Sequence, residues 1–250
     1  MRFAHTIPVA AIVVASSLIT TVSASAHTVS QPSPRLTGSI TPLAASGAGG
    51  DAGVPIQLRL GIAISHPTTS RFRLRRVVVR FPAGALTNGA LFPSCSAATL
   101  KAAHGRLGVC PRGSKIGFGT AAVSLVDLGI QTRAALTLFN GPRGESVTFN
   151  VNVSSPAHLN VTFSAGLRQT RGKYAYILTS RIPTTLQEIV GSPVLVERID
   201  VTVGALRVID GVRRGYLETL GCPRSHHVAF HADVSFNPRA FAGADAMVRC

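Results

Sequence analysis

Hydrophobic and polar residues alternate with a period of two through most of this chain. That period places successive side chains on opposite faces of an extended strand and marks one face for burial. In residues 56–65, Ile56, Leu58, Leu60, Ile62 and Ile64 share one face, and Gln57, Arg59, Gly61, Ala63 and Ser65 share the other. The same phase sets Val147, Phe149, Val151 and Val153 against Ser146, Thr148, Asn150 and Asn152, and sets Leu159, Val161 and Phe163 against Asn160, Thr162 and Ser164. These two runs flank Ser155-Pro156-Ala157 and predict a hairpin. Further strands are expected at 71–81, 116–126, 132–139, 173–180, 194–208 and 227–236, punctuated by turn residues such as Asn140-Gly141-Pro142-Arg143-Gly144 and Asp210-Gly211. About nine strands with short connections and hardly any helical period predict an all-β fold, an antiparallel β-sandwich or jelly roll. One short helix is expected inside the Cys95–Cys110 loop, over residues 97–103, with Ser94 or Ser96 as N-cap and Gly105 as its end. A second turn is expected over residues 184–190.

The N-terminal residues depart from this pattern. Residues 1–5 carry one charge, Arg2; Ile7 to Val22 is apolar; and Ala24-Ser25-Ala26 has the small-x-small character that a signal peptidase cuts. Residues 1–26 therefore read as a signal peptide. The apolar run is shorter than the roughly 20 uninterrupted residues that cross a bilayer, and it contains Ser16, Ser17, Thr20 and Thr21. No transmembrane anchor is expected once it is cleaved, and no cysteine follows it to accept lipid. Residues 27–54, rich in Ser, Thr, Pro, Gly and Ala, read as a flexible leader. Residues 55–250 are expected to fold as one β-sandwich domain or two packed β subdomains, on a protein that is secreted, extracellular or associated with the cell wall.

Export to an oxidising compartment explains the four cysteines, an even number, as disulfides. Four cysteines permit three connectivities, and proximity favours Cys95 with Cys110 and Cys222 with Cys250. A metal site built on them is not expected, because no CxxC spacing exists and paired sulfurs offer no thiolate. The formal charge is +15, with 22 arginines and only 3 lysines among the 25 basic residues. Such a field attracts anions: acidic wall polymers, phospholipid headgroups or nucleic acid. Arginine scattered over a solvated surface accounts for the same count.

The run Phe81-Pro82-Ala83-Gly84, then Asn88-Gly89-Ala90-Leu91-Phe92-Pro93-Ser94-Cys95, then Cys110-Pro111-Arg112-Gly113-Ser114-Lys115-Ile116-Gly117-Phe118-Gly119-Thr120-Ala121, resembles a group of secreted proteins of high-GC actinobacteria. Phe139-Asn140-Gly141-Pro142 and Gly221-Cys222-Pro223 fit that group too, and Cys-Pro-x-Gly-Ser-x-Ile-Gly-x-Gly is the most specific segment. The group has no assigned activity, so the resemblance implies compartment and fold and supplies no catalytic residue.

The most suggestive candidate site lies in residues 71–81. Phe72 and Leu74 are apolar at even positions, then Val77, Val79 and Phe81 at odd ones, so the inward phase slips near Arg75-Arg76. A β-bulge there absorbs the slip and turns Arg71, Arg73, Arg75, Arg76 and Arg80 outward on one face. If a hairpin pairs Ser65 with Arg71, Ala63 and Gly61 lie opposite Arg73 and Arg75 and leave the guanidinium groups room to meet an anionic polymer. The alternative is a solvated face that guards against edge aggregation.

Other chemistry is weaker. Gly117-Phe118-Gly119 follows a Cys-Pro loop and enters β-rich sequence, so it reads as a glycine-bearing strand with a bulge and not as a phosphate loop. His227 and His231, four apart on a strand, lie about 13 Å from each other, too far to share a zinc with His226. Gly-x-Ser-x-Gly, His-Glu-x-x-His and Ser-x-x-Lys are absent. Glu197 and Asp200, three apart, are expected on opposite faces. The chain has no Trp, and Tyr174 and Tyr176 share one face, expected to cap the core. No cofactor, metal or catalytic residue is assigned. Without stacking aromatics, specific nucleic-acid binding is not expected. The expected function is non-catalytic binding or structure at the cell envelope, with an anionic cell-wall polymer or surface as partner. The alternatives are an extracellular hydrolase with a site assembled from distant strands, or an adhesion module.

Overall fold

In the computed structural model, residues 30–43, 53–68 and 70–250 are described. The expected signal peptide, residues 1–26, lies outside them, as do residues 27–29 and 44–52 of the expected leader. Residues 33–42 correct that leader: they form strand β1 (Ser33–Pro42), antiparallel to β2 (Val54–Ser65), with Ser33 opposite Ser65 and Pro42 opposite Ile56. Composition masks a short alternation here. Leu36 is buried and Ile40 packs on the core, while Arg35, Thr37 and Ser39 face outward.

From β2 the chain does not turn back in a hairpin. It crosses the core to β3 (Arg73–Pro82), which pairs with strands much later in the sequence, followed by the short β4 (Ala85–Thr87). After the disulfide loop and its helix α1 (Ala97–Ala102) comes an antiparallel meander: β5 (Lys115–Leu125), β6 (Ile130–Asn140), β7 (Ser146–Val153), β8 (Leu159–Gln169) and β9 (Tyr174–Arg181). A single 3-10 turn at Thr184–Leu186 leads to β10 (Glu188–Ile189), the long β11 (Ser192–Val203), a ribbon of β12 (Leu206–Ile209) and β13 (Val212–Gly215), and β14 (Leu217–Thr219). Asp210 and Gly211, at φ 50° and 77°, close that ribbon with the left-handed pair a tight hairpin demands. Strands β15 (His227–Asn237) and β16 (Ala240–Arg249) finish the chain.

All strands but β12 and β13 belong to one antiparallel sheet, ordered β16-β15-β3-β9-β8-β7-β6-β5-β11-β2-β14-β4, with β1 also on β2 and β10 on β11. The expected all-β sandwich is therefore a single sheet rolled over on itself. Ile62, Val77, Val79, Ala121, Val123, Val194 and Val196, from strands far apart in the order, share one buried core. At the seam β1 meets β16 closely: a Cβ on Gly38 would sit 2.8 Å from Val248 Cγ2.

The phase slip in β3 is the expected bulge. Leu74 lies opposite Phe236 and Arg76 opposite Ser235, leaving Arg75 as the extra residue, so Phe72, Leu74, Val77 and Val79 all remain buried. A second bulge at Ile116 separates Lys115, opposite Phe139, from Gly117, opposite Leu138. Gly117 and Gly119 are demanded by β11: a Cβ would come within 2.4 Å of the Thr202 carbonyl oxygen and 2.2 Å of that of Asp200, respectively.

The disulfides are Cys95–Cys110 and Cys222–Cys250. In the loop-entropy picture, bridges 15 and 28 residues apart contribute about 3 and about 3.6 kcal/mol. Ser96 caps α1 by accepting from the Thr99 N–H at 3.0 Å, and Leu100, 0% exposed, packs with Cys95 and Phe139. The loop covers one end of the outer sheet face, which explains why Thr148, Asn150 and Thr162 are buried although they point away from the core.

Candidate anion-binding groove

The five arginines of residues 71–80 do not act as one face. Arg71 pairs with Asp127 at 2.9 Å and Arg73 with Glu188 at 3.6 Å, both toward the end of the sandwich where β5 and β10 lie. Arg80 pairs with Asp233 of β15. Arg75 and Arg76 make no ion pair with a carboxylate among the described residues. The expected packing of Ala63 and Gly61 against Arg73 and Arg75 is not found, because β2 pairs with β1, β11 and β14 and not with β3. Ala63 instead lies between Arg35 and Arg198, and Ala122 between Arg198 and Arg133, so arginine and alanine alternate in a row across five strands.

What β3 keeps of the candidate site is Arg76 and Arg80, and the topology adds partners from strands remote in sequence. Across the outer face, Arg168 (β8), Ile177 (β9), Arg80 (β3), His231 (β15) and Asp245 (β16) form one cross-strand row. The next row holds Gly166, Thr179, Val78, Asp233 and Gly243. In the third, Arg181 stands directly opposite Arg76, followed by Ser235 and Phe241. The small middle row and the long outer rows leave a concavity of about 540 Å³. Val78, Ile177 and Thr179 form its floor, Arg76, Arg80 and Arg168 its rim, and Phe241, 71% exposed, one wall. Like charges placed directly across a strand pair disfavour the sheet unless something relieves them. Arg76 and Arg181 are such a pair, with no ion-paired carboxylate on either among the described residues.

One end of the groove carries a chain of charges, Arg80–Asp233–His231–Asp245. His231 Nδ1 lies 2.7 Å from Asp245 Oδ1, and Nε2 lies 2.9 Å from Asp233 Oδ1. Ionised carboxylates only accept, so the arrangement favours the imidazolium, in which both ring nitrogens donate. Burial acts to lower its pKa, but the hydrogen bonds and charges of Asp245 and Asp233 outweigh burial and raise it. For Asp233, burial acts to raise the pKa, and the hydrogen bonds and charges of His231 and Arg80 outweigh it in the opposite direction. The arrangement holds charge in place. With both nitrogens occupied by carboxylates, His231 presents no lone pair to a nucleophile.

His66 offers the other His–hydroxyl contact. Its Nε2 is 2.9 Å from the Val196 carbonyl, which can only accept, and its Nδ1 is 3.3 Å from Ser70 Oγ. Ser70 is buried and also accepts from the Phe72 N–H at 3.3 Å, so the pair pins the crossing from β2 to β3. Glu197 and Asp200 correct the expectation of opposite faces. A bulge between Val196 and Arg198 puts Glu197 on the outer face that Asp200 also occupies. There Ser124 donates to Glu197, and Arg198 donates to Asp200 with Nη2–Oδ1 at 2.8 Å. His226, His227 and His231 do not converge; His227 Nδ1 contacts the Ser225 carbonyl at 2.7 Å.

Sequence reasoning missed Arg168 and Phe241, which line the groove, and Arg181, which stands beside it opposite Arg76. The signal for Arg181 was available in phase: Tyr174, Tyr176, Leu178 and Ser180 occupy one face of β9, so Ile177, Thr179 and Arg181 must occupy the other. That β9 then lies beside β3 is a matter of topology. No protein-family model, curated protein or solved structure matches this chain.

Proposed function

We propose that this protein is a non-catalytic binding protein of the cell exterior that holds an anionic polymer in the groove between the Arg76–Arg181 pair and the Arg80–Arg168 row. The opposed arginines carry the reading, since a bridging carboxylate, phosphate or sulfate turns their repulsion into two charge-assisted contacts. Two disulfides, an export-type N-terminus and the resemblance to secreted actinobacterial proteins support the compartment. A polymer, more than a small ion, suits an open trough whose cations stand in alternate rows along the strands.

The test is retention of the disulfide-intact protein, residues 27–250, on an immobilised acidic polysaccharide such as polygalacturonate, eluted with rising salt. The double variant Arg76→Gln/Arg181→Gln should elute at distinctly lower salt than the parent. Arg71→Gln/Arg73→Gln, whose side chains already pair with Asp127 and Glu188, should shift elution less. Equal elution of the parent and the Arg76/Arg181 variant would remove the groove from the account.

A further inference from the structure

The interior of the rolled sheet is not filled. Two abutting voids of about 150 and 90 Å³ lie inside it, both lined almost wholly by apolar side chains. Ile62, Val79, Phe149, Leu178, Ile199 and Val201 line both, and so form the neck between them. The larger void has a cause in the sequence. Ala121 of β5 and Ala134 of β6 are direct cross-strand partners facing inward, where neighbouring inward positions hold Val123, Leu136 and Val151. Two small residues side by side lower the floor, and Leu74 and Val77 across the core do not reach down to fill it.

The smaller void is lined by Tyr216, 1% exposed. The Tyr216 backbone is fixed at both polar groups: its N–H donates to the Ala205 carbonyl at 2.8 Å, and its carbonyl accepts from the Asn88 N–H at 2.9 Å. The ring packs edge-on against Phe92. The phenolic oxygen, fully buried, has no hydrogen-bond partner among the described residues. A buried hydroxyl is ordinarily satisfied, and an orphan one calls for an explanation. Burial also pushes the phenol's pKa upward, so it stays an O–H donor throughout the physiological range.

We infer that the interior is a binding site for a neutral, carbon-rich small molecule bearing one hydrogen-bond acceptor, whose hydrocarbon fills the voids and whose oxygen accepts from Tyr216. Apolar voids near 150 Å³ stay dry and admit a benzene-sized guest, so the two together suit roughly ten heavy atoms. The ligand must be neutral, because among the described residues no cation lines either void and an unpaired charge would not leave water for them. A ketone, ester or alcohol meets these conditions; a fatty carboxylate does not. The inference is independent of the outer groove, since the inward residues of β3 and β9 line the voids and their outward residues line the groove.

Acetophenone, with its ketone oxygen, and cumene, similar in size and without an acceptor, serve as probes. Titration of the disulfide-intact protein by ligand-observed NMR should show saturable binding of both, with acetophenone the tighter. Ala134→Leu, and separately Ala121→Leu in case one variant misfolds, should weaken both probes at least tenfold. Tyr216→Phe should weaken acetophenone several-fold and leave cumene unchanged. Absence of saturable binding to a protein that unfolds cooperatively would overturn the inference, as would binding that survives both leucine substitutions. Equal losses for the two probes in Tyr216→Phe would overturn the role of the hydroxyl.

Discussion

Filling the larger interior void should stabilise the unliganded protein, and the size of the gain follows from the geometry. At about 24 cal/mol per Å³ of residual cavity, a 150 Å³ void costs about 3.6 kcal/mol relative to a filled core. Ala134, 4% exposed, looks into that void from β6, and leucine there adds three carbons, worth about 2.4 kcal/mol at ~0.8 per buried group. Losing leucine's rotamer freedom returns about 0.5–1 kcal/mol. The net expectation for Ala134→Leu is a gain of about 1.5 kcal/mol. With a urea m-value of about 3 kcal/mol/M for a domain of this size, the midpoint should rise by about 0.5 M at unchanged m. Ala165 is the internal control: it is 0% exposed, also faces inward, and lines neither void. Ala165→Leu should lower stability by about 1–3 kcal/mol through overpacking. If Ala134→Leu lowered the midpoint as Ala165→Leu does, the space would not be there, and the inferred interior site would fall with it.

Two further outcomes are expected. The His231 clamp should make stability depend on pH with a definite sign. Because the folded-state pKa of His231 is raised above its ordinary 6.5, its contribution is complete below that value and is lost as pH rises through the folded value. Because that of Asp233 is lowered below 3.8, its contribution is complete above 3.8 and is lost as pH falls through the folded value. The Tm difference between the parent and His231→Gln should therefore be widest between these two ordinary values and narrow on the alkaline side; a difference that grows toward high pH would contradict the clamp. Separately, Gly119→Ala drives a Cβ to 2.2 Å from the Asp200 carbonyl oxygen and should cost at least the upper end of about 1–3 kcal/mol in chemical denaturation. Gly166→Ala, whose Cβ meets nothing within 4 Å, should change stability by less than about 0.5 kcal/mol, and equal effects at the two positions would show that β5 and β11 are not in contact as described.

Much of this architecture was legible because strict alternation has a single physical reading. Ile56 to Ile64 and the β7–β8 hairpin lie where their phase put them, and the slip at Arg75-Arg76 marked a bulge because only an extra residue keeps both Leu74 and Val77 inside. Strand β16 was hidden for the opposite reason. Ala240, Ala242, Ala244 and Ala246 point inward while Phe241 and Met247 stand exposed, which inverts the usual contrast. Strand β1 was masked by serine, proline and glycine; its Gly38 is small because Val248 leaves no room. The groove was half legible. Outward phase identified Arg76 and Arg80, but their partners Arg168 and Arg181 depend on β3 skipping its sequence neighbour to pair with β9, a long-range choice that no local pattern encodes.

The distribution of charge decides between an arginine-rich surface that is merely tolerated and one that is arranged. Asp127, Glu145, Glu188, Asp200, Glu218 and Asp233 each lie within ion-pair reach of one arginine, so six of the ten carboxylates are already committed. At the Arg76–Arg181 pair two cations occupy directly opposed positions on strands about 5 Å apart. In water, with salt screening over about 8 Å, their repulsion costs less than about 1 kcal/mol. That is small enough for the sheet to keep, yet it is relieved in full when an anion bridges the two guanidinium groups. Adsorption through this pair must therefore weaken steeply as salt rises, while the interior voids, uncharged and shielded by the same two strands, should bind their guest with no salt dependence.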